Sequence, residues 1–177
     1  KFVYFSILHC DAAPKIPLFA ARHAFEKTLT SSPLEYLIVR PTWYFHDMAR
    51  IFMPLTEQEK VLLVGRRKIR TNVISAGDAA RFAIEHMNDP GRAILPVGGQ
   101  STFTYREIAD LFFAAARKSP RIHRASPLTY SLMAAEANIR GDGTFPRIVL
   151  TKWLWTHNMY TDVKYGTDDF SVYVQSL

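Results

Sequence analysis

The sequence predicts an α/β fold built on a parallel sheet, and three stretches carry that prediction. Phe2-Val3-Tyr4-Phe5-Ser6-Ile7-Leu8 is a nearly unbroken apolar run, rich in aromatic and β-branched residues. Such runs suit a strand covered on both faces of a parallel sheet. Leu34 to Arg40 is a second one, ended by Pro41, which has no N–H to give a ladder. Between them Leu18, Ala21, Phe25 and Leu29 recur at spacings of 3, 4 and 4, one face of a helix. Pro17 suits the first helical turn, and Ser31-Ser32-Pro33 ends the helix. Strand, helix and strand make a βαβ unit, whose crossover is nearly always right-handed. Ligands in open parallel sheets bind beyond the carboxyl ends of the strands. Here those ends are Ser6 to Cys10 and Arg40 to Tyr44.

The rest of the chain continues in alternation. Trp43 to Met53 reads as a loop turning into a short helix that stops near Pro54, with Phe45, Ile51 and Phe52 as core. Val61 to Val64 reads as a strand, and Thr71 to Ser75 as an extended piece. Asp78 is placed to cap a helix running to Met87. Asp89-Pro90-Gly91 is a turn, and Ala93 to Val97 a strand at a sheet edge because of Pro96. Gly98-Gly99 reads as a turn. Thr104 and Glu107 form a capping box for a helix with Ile108, Leu111, Phe112 and Ala115 on one face. From Ser119 the character changes: a short strand over Arg121 to Ala125, a helix from Ser126-Pro127 broken at Gly141, and an aromatic stretch from Phe145 to Met159. Thr167 caps a last short helix, with Asp168 and Asp169 in its first turn.

Size and composition narrow the classes. At 177 residues the chain is long enough to bury a real core, and 48% apolar with 21% charged residues is ordinary for a globular domain. No apolar stretch approaches a membrane span, and no signal peptide is visible. The chain opens on Lys1 rather than Met and almost inside a strand, which predicts a fragment, a processed chain or an incomplete reading frame. One cysteine, Cys10, excludes an internal disulfide and fits a reducing compartment, with the cytoplasm the expected one. The six histidines make no His-x-x-x-His or Cys–His pattern, so no metal is expected. Arg66 to Arg70 is basic, but with no nucleic-acid motif or interleaved aromatics it reads as a solvated loop.

A family resemblance rests on Phe2 to His9, Ile16 to Glu26 and Tyr36 to Thr42, and continues through Val73 to Ala80, Val97 to Gln100, Phe103 to Ala109 and Tyr165 to Thr167. Together these resemble the second half of an atypical short-chain dehydrogenase/reductase, nearest the NmrA-like branch. No single motif is specific; order and spacing carry the likeness. The resemblance implies a Rossmann-like parallel sheet, here its second half, over residues 1–120, and a small, mostly helical substrate-side lid over 121–177. It implies NAD or NADP as cofactor, but only together with a preceding half. None of the 8 glycines forms G-x-G-x-x-G or G-x-x-G-x-x-G, the turn that lets backbone approach a pyrophosphate.

By the same resemblance Ser6, Ile7, Arg22, Pro41 and Thr42 would bind the cofactor, His9, Trp43 and Tyr44 would face the substrate, and Ser6 is the one catalytic candidate. The family's Tyr-x-x-x-Lys pair falls on Leu18 and Arg22. Leucine transfers no proton; arginine stays charged and is able to bind ribose or phosphate. Tyr4, Tyr36 and Tyr44 are the tyrosines that geometry would have to bring in instead. Two functions stay open: an NAD(P)H-dependent reductase of a small carbonyl or related substrate, and a non-catalytic NAD(P)-sensing regulator or assembly subunit that keeps the fold. The expected partners are a dinucleotide and a small-molecule substrate, with a protein partner or a second copy as a further option.

Overall fold

The structure, a computed structural model, describes residues 1–64, 68–141 and 143–177. Of the basic run, Arg66 and Arg67 lie outside the described residues. In chain order the elements are β1 (Phe2–Phe5), α1 (Pro17–Thr30), β2 (Tyr36–Pro41), α2 (Phe45–Glu57), β3 (Lys60–Val64), β4 (Arg70–Thr71) and α3 (Ala76–His86). There follow β5 (Ala93–Val97), β6 (Phe103–Thr104), α4 (Tyr105–Ala115), β7 (Arg121–Ala125), α5 (Pro127–Arg140), α6 (Phe145–Leu154) and α7 (Phe170–Gln175).

β1, β2 and β5 form a parallel sheet in the order β1-β2-β5. Phe2 pairs with Tyr36 and Phe5 with Val39; Leu37 pairs with Ala93 and Pro41 with Val97. The βαβ reading of the first 41 residues therefore holds, and Pro96 sits in an edge strand as its missing N–H requires. The central strand alternates between two cores. Leu37 and Val39 pack with Ala79, Phe82 and Ala83 of α3, while Tyr36 and Ile38 pack with Leu29 of α1. Helices thus cover both faces, which is why β2 is apolar throughout its middle. Smaller pairings frame this sheet: β3 with β7 in parallel, β4 with β6 antiparallel.

Four expectations are corrected. On α1, Leu18 and Phe25 are 40% and 42% exposed, and the buried face runs through Phe19, Glu26 and Leu29. That stripe also obeys helical spacing, but it carries Arg22, His23 and Glu26, so hydropathy points to the wrong side. Helix α2 runs through Pro54 to Glu57 instead of stopping there; the proline forfeits one backbone bond, the Gln58 N–H donates to the Pro54 carbonyl, and the Thr56 hydroxyl donates to that of Phe52. Ser75, not Asp78, caps α3, its hydroxyl accepting the Asp78 N–H at 2.9 Å. Asp169, not Thr167, caps α7, accepting the N–H groups of Ser171 and Val172. The Thr104–Glu107 capping box of α4 forms as read.

Past residue 120, Trp153, Leu154, Trp155, Met159, Phe170 and Val174 join the main core cluster beside Ile7, Phe52 and Phe113. Among the described residues no helix is long and apolar enough to cross a membrane.

Candidate functional site

The ends of β1 and β2 are held together beyond the strands proper. The Ser6 N–H donates to the Val39 carbonyl at 2.8 Å and the Leu8 N–H to that of Pro41 at 2.9 Å. The chain then turns sharply at His9, whose φ of 61° is left-handed. The turn places the Cys10 side chain, fully buried, back under Ser6, whose hydroxyl donates to the Cys10 sulfur at 3.6 Å. Burial pushes the thiol up to about 11, so Cys10 is a protonated thiol at neutral pH.

Beside it lies an ion-pair network that the sequence reading missed. Glu26 of α1 is 2% exposed and is gripped by Arg40, the last charged residue of β2. Arg40 Nε donates to Oε1 at 2.9 Å and Nη2 to Oε2 at 2.5 Å, while Nη1 reaches Asp11 Oδ2 at 3.2 Å. Burial raises the Glu26 carboxyl, but the hydrogen bonds from Arg40, Ser6 and Cys10 outweigh it and hold the group below its usual value. The hydrogen bond that Arg40 donates to Glu26 raises Arg40 correspondingly. A signal did exist: Glu26 and Arg40 are charges inside otherwise apolar segments, and such charges are seldom buried without a partner.

Arg22 lies across β1. Its guanidinium donates to the Phe5 carbonyl at 2.9 Å and to the Tyr4 hydroxyl at 3.3 Å, 5.7 Å from the centre of the Tyr4 ring. Leu18, one turn earlier, points to the exposed side of the same helix.

The β2 end is neutral. Pro41 is its last residue, and Thr42, 1% exposed, donates its hydroxyl to the Asn72 carbonyl at 2.7 Å. Asn72 is wholly buried: its amide donates to the carbonyls of Gly99 and Thr161 and its oxygen accepts the Thr161 N–H. Gly98 and Gly99 are needed for close approach, because a Cβ at 98 would meet the Asn72 side chain and one at 99 the Val73 carbonyl. A second staple holds the same late segment. Asp78 accepts the N–H groups of Thr167 and Asp168, and Gly166, at φ 89°, leaves the room for its carboxylate.

Trp43 is buried in the main core. Tyr44 begins α2, its N–H donating to Asp47, and its ring stacks on His46 with centroids 5.3 Å apart. Burial, with Asp47 adding to it and Arg22 opposing, pushes the Tyr44 hydroxyl up to about 12. Tyr36 is buried within the α1-side core, and Tyr4 is engaged by Arg22. His9 faces Trp153 with ring centroids 6.4 Å apart, and burial lowers its pKa. Trp153 and His157 line a cavity of about 370 Å³ against Ala12, Pro14 and Lys15, with Lys152 at its rim. The structure thus gathers Ser6, Ile7, His9 and Arg22 around the β1 end and Pro41, Thr42 and Tyr44 around the β2 end, and puts Trp43 in the core.

No protein-family model matches the chain. Two curated relatives are photosystem II assembly factors Ycf39. The one from Guillardia theta is 25% identical over 114 residues, 63% of this chain and 36% of the relative. The one from Synechocystis is 26% identical over 125 residues, 69% of this chain and 38% of the relative. The matched stretch thus spans little more than a third of either relative. Among solved structures, an NADPH-dependent quinone oxidoreductase from Escherichia coli, complexed with NADPH, superposes with a TM-score of 0.73 at 17% identity, covering 98% of this chain and 64% of that one. Isoflavone reductase gives 0.68 at 13% identity, covering 98% and 65%. The fold is therefore the Rossmann-like reductase fold that these two structures share, as the sequence resemblance implies.

Proposed function

We propose that this chain forms the nicotinamide-side and substrate-side portion of an NAD(P)-binding protein that keeps the reductase fold for binding rather than for proton transfer. The observation that carries this reading is position 18. A leucine stands where the family places its proton donor, on an exposed helical face. The nearby tyrosines make poor replacements: the Tyr44 hydroxyl is pushed to about 12, Tyr36 is in the core and Tyr4 is bound to Arg22.

By the resemblance, the residues present would serve one end of a dinucleotide, with the Ser6 and Thr42 hydroxyls now engaged by Cys10 and Asn72. The strand ends carry Ser6, Pro41 and Thr42, and Arg22 keeps donors beyond the two it uses. Nothing in the sequence offers the glycine-rich turn for a pyrophosphate. When bound, a nicotinamide dinucleotide supplies hydride chemistry; this chain supplies the wall against which the ring would lie. The relatives' role in assembly supports the binding reading. The fold neighbours named as oxidoreductases support a second, a reductase whose proton comes from outside position 18.

Calorimetry and turnover on the full-length protein separate the two. Binding of NADPH, weakened about tenfold or more by Arg22→Ala through loss of a charge-assisted hydrogen bond, is expected. Oxidation of bound NADPH by small quinones no faster than the uncatalysed rate is also expected. Turnover above that rate would replace the binding reading with the reductase one, and no NADPH binding at all would end both.

A further inference from the structure

We propose that Cys10, His23 and Glu26 form a binding site for a single zinc-class divalent cation, with the fourth coordination position open on the His23 side. No pattern in the sequence announces it. The fold assembles it by turning the chain back at His9 and laying the loop on α1, where His23 and Glu26 stand one turn apart. That His-x-x-Glu spacing puts an imidazole and a carboxylate on one helical face, an arrangement that suits metal ligation. One ligand atom from each residue comes together with the others within 4.8 Å.

Zinc takes sulfur, nitrogen and carboxylate oxygen at about 2.0–2.3 Å in a tetrahedron, so its ligand atoms sit roughly 3.5 Å apart. Closing the present spacing needs only modest side-chain rotation, and His23, 30% exposed, is free to make most of it. Its Nδ1 gives an independent sign. That atom is buried and has no hydrogen-bond partner, and it lies 4.0 Å from Glu26 Oε2. A buried imidazole nitrogen without a partner is costly, and a cation would satisfy it.

Arg40 is the obvious objection, since it already holds Glu26. A carboxylate offers about four acceptor sites and the guanidinium fork takes two, one on each oxygen. Ser6 and Cys10 also hydrogen-bond Glu26, and loss of the Cys10 proton on binding frees one of those sites for a cation. Charge favours the same outcome. Arg40 faces two carboxylates, Glu26 and Asp11, so the cluster carries one negative charge in surplus. On binding, the Cys10 S–H bond breaks, its proton goes to solvent and an S–metal bond forms. Two carboxylates and one thiolate then balance one guanidinium and a divalent ion. Ser6 Oγ, donating to Cys10 Sγ, is placed to orient the sulfur.

Co²⁺ is the probe, because thiolate ligation gives a charge-transfer band in the near ultraviolet, and Cys10 is the single cysteine of this sequence. Titration of the full chain with Co²⁺ is expected to produce that band together with intense visible bands of a tetrahedral ion, and Zn²⁺ to displace them at one equivalent. Cys10→Ser removes the near-ultraviolet band, and His23→Ala weakens Zn²⁺ binding by at least roughly tenfold. Should Cys10→Ser not fold, protection of the native thiol from alkylation by Zn²⁺, lost in His23→Ala and reversed by a chelator, decides the matter. No thiolate band on Co²⁺ addition, or undiminished Zn²⁺ affinity in His23→Ala, overturns the proposal.

Discussion

The ends of β1 and β2 lie side by side and are built on different terms. Past Arg40 the β2 end is neutral, and its hydroxyl and amide are answered although the buried Trp43 indole N–H is not: Thr42 bonds Asn72, and Asn72 uses its amide on Gly99 and Thr161. At the β1 end a guanidinium, two carboxylates, a thiol and an imidazole crowd together, with one imidazole nitrogen unanswered. The first is a joint, fixing the residue 160 region to the sheet. The second holds groups able to exchange partners. A satisfied buried network rigidifies its surroundings, whereas an unpaired buried polar group is costly and gains from any partner that reaches it.

The largest expected effect breaks the charged end. In chelator, Glu26→Ala leaves Arg40 inside the fold with only the half-exposed Asp11, and removing one partner of a buried pair costs about 3 kcal/mol or somewhat more. Urea denaturation measures it. A loss below about 1 kcal/mol, the range of exposed ion pairs, would mean that Asp11 and water suffice and that the two strand ends differ less than their geometry implies.

Next comes the neutral end. Asn72→Ala orphans the carbonyls of Gly99 and Thr161 and the Thr161 N–H in a buried setting, for about 2–3 kcal/mol. Its signature is local as well as global: amide exchange at Thr161 and Val163 is expected to speed up more than at Val39 of the central strand. Equal acceleration everywhere would show that Asn72 supports the whole fold rather than this joint.

How far these regions were legible follows from the range of the interactions. β1, β2 and the α4 capping box are written in contiguous residues; each formed, with β1 shorter than read and β2 shifted to include Pro41. The α1 face was misread because the helix buries Glu26 against Arg40, a partner 14 positions away that hydropathy does not register. Asn72 left no local mark at all: its partners are 27 and 89 positions distant, and only the paired glycines at 98 and 99 hint at a close approach. Cys10 and His23 likewise meet through the turn at His9, not through any spacing.

The smallest effect tests the corrected face of α1. Leu18 is 40% exposed, beside a fully buried Phe19. Leu18→Ala therefore removes little packing and, alanine being the better helix former, is expected to change stability by less than about 0.5 kcal/mol. Had the apolar stripe of Leu18, Ala21 and Phe25 faced the core, the same substitution would cost about 2–5 kcal/mol. Denaturation of this variant in the 177-residue chain and in a longer protein sharpens the contrast. A negligible change in both leaves position 18 as an open face able to accept a tyrosine, so that Leu18→Tyr with Arg22→Lys asks whether proton transfer can be restored. A loss above about 1 kcal/mol confined to the longer protein would show that residues beyond this chain cover α1 and that Leu18 packs against them.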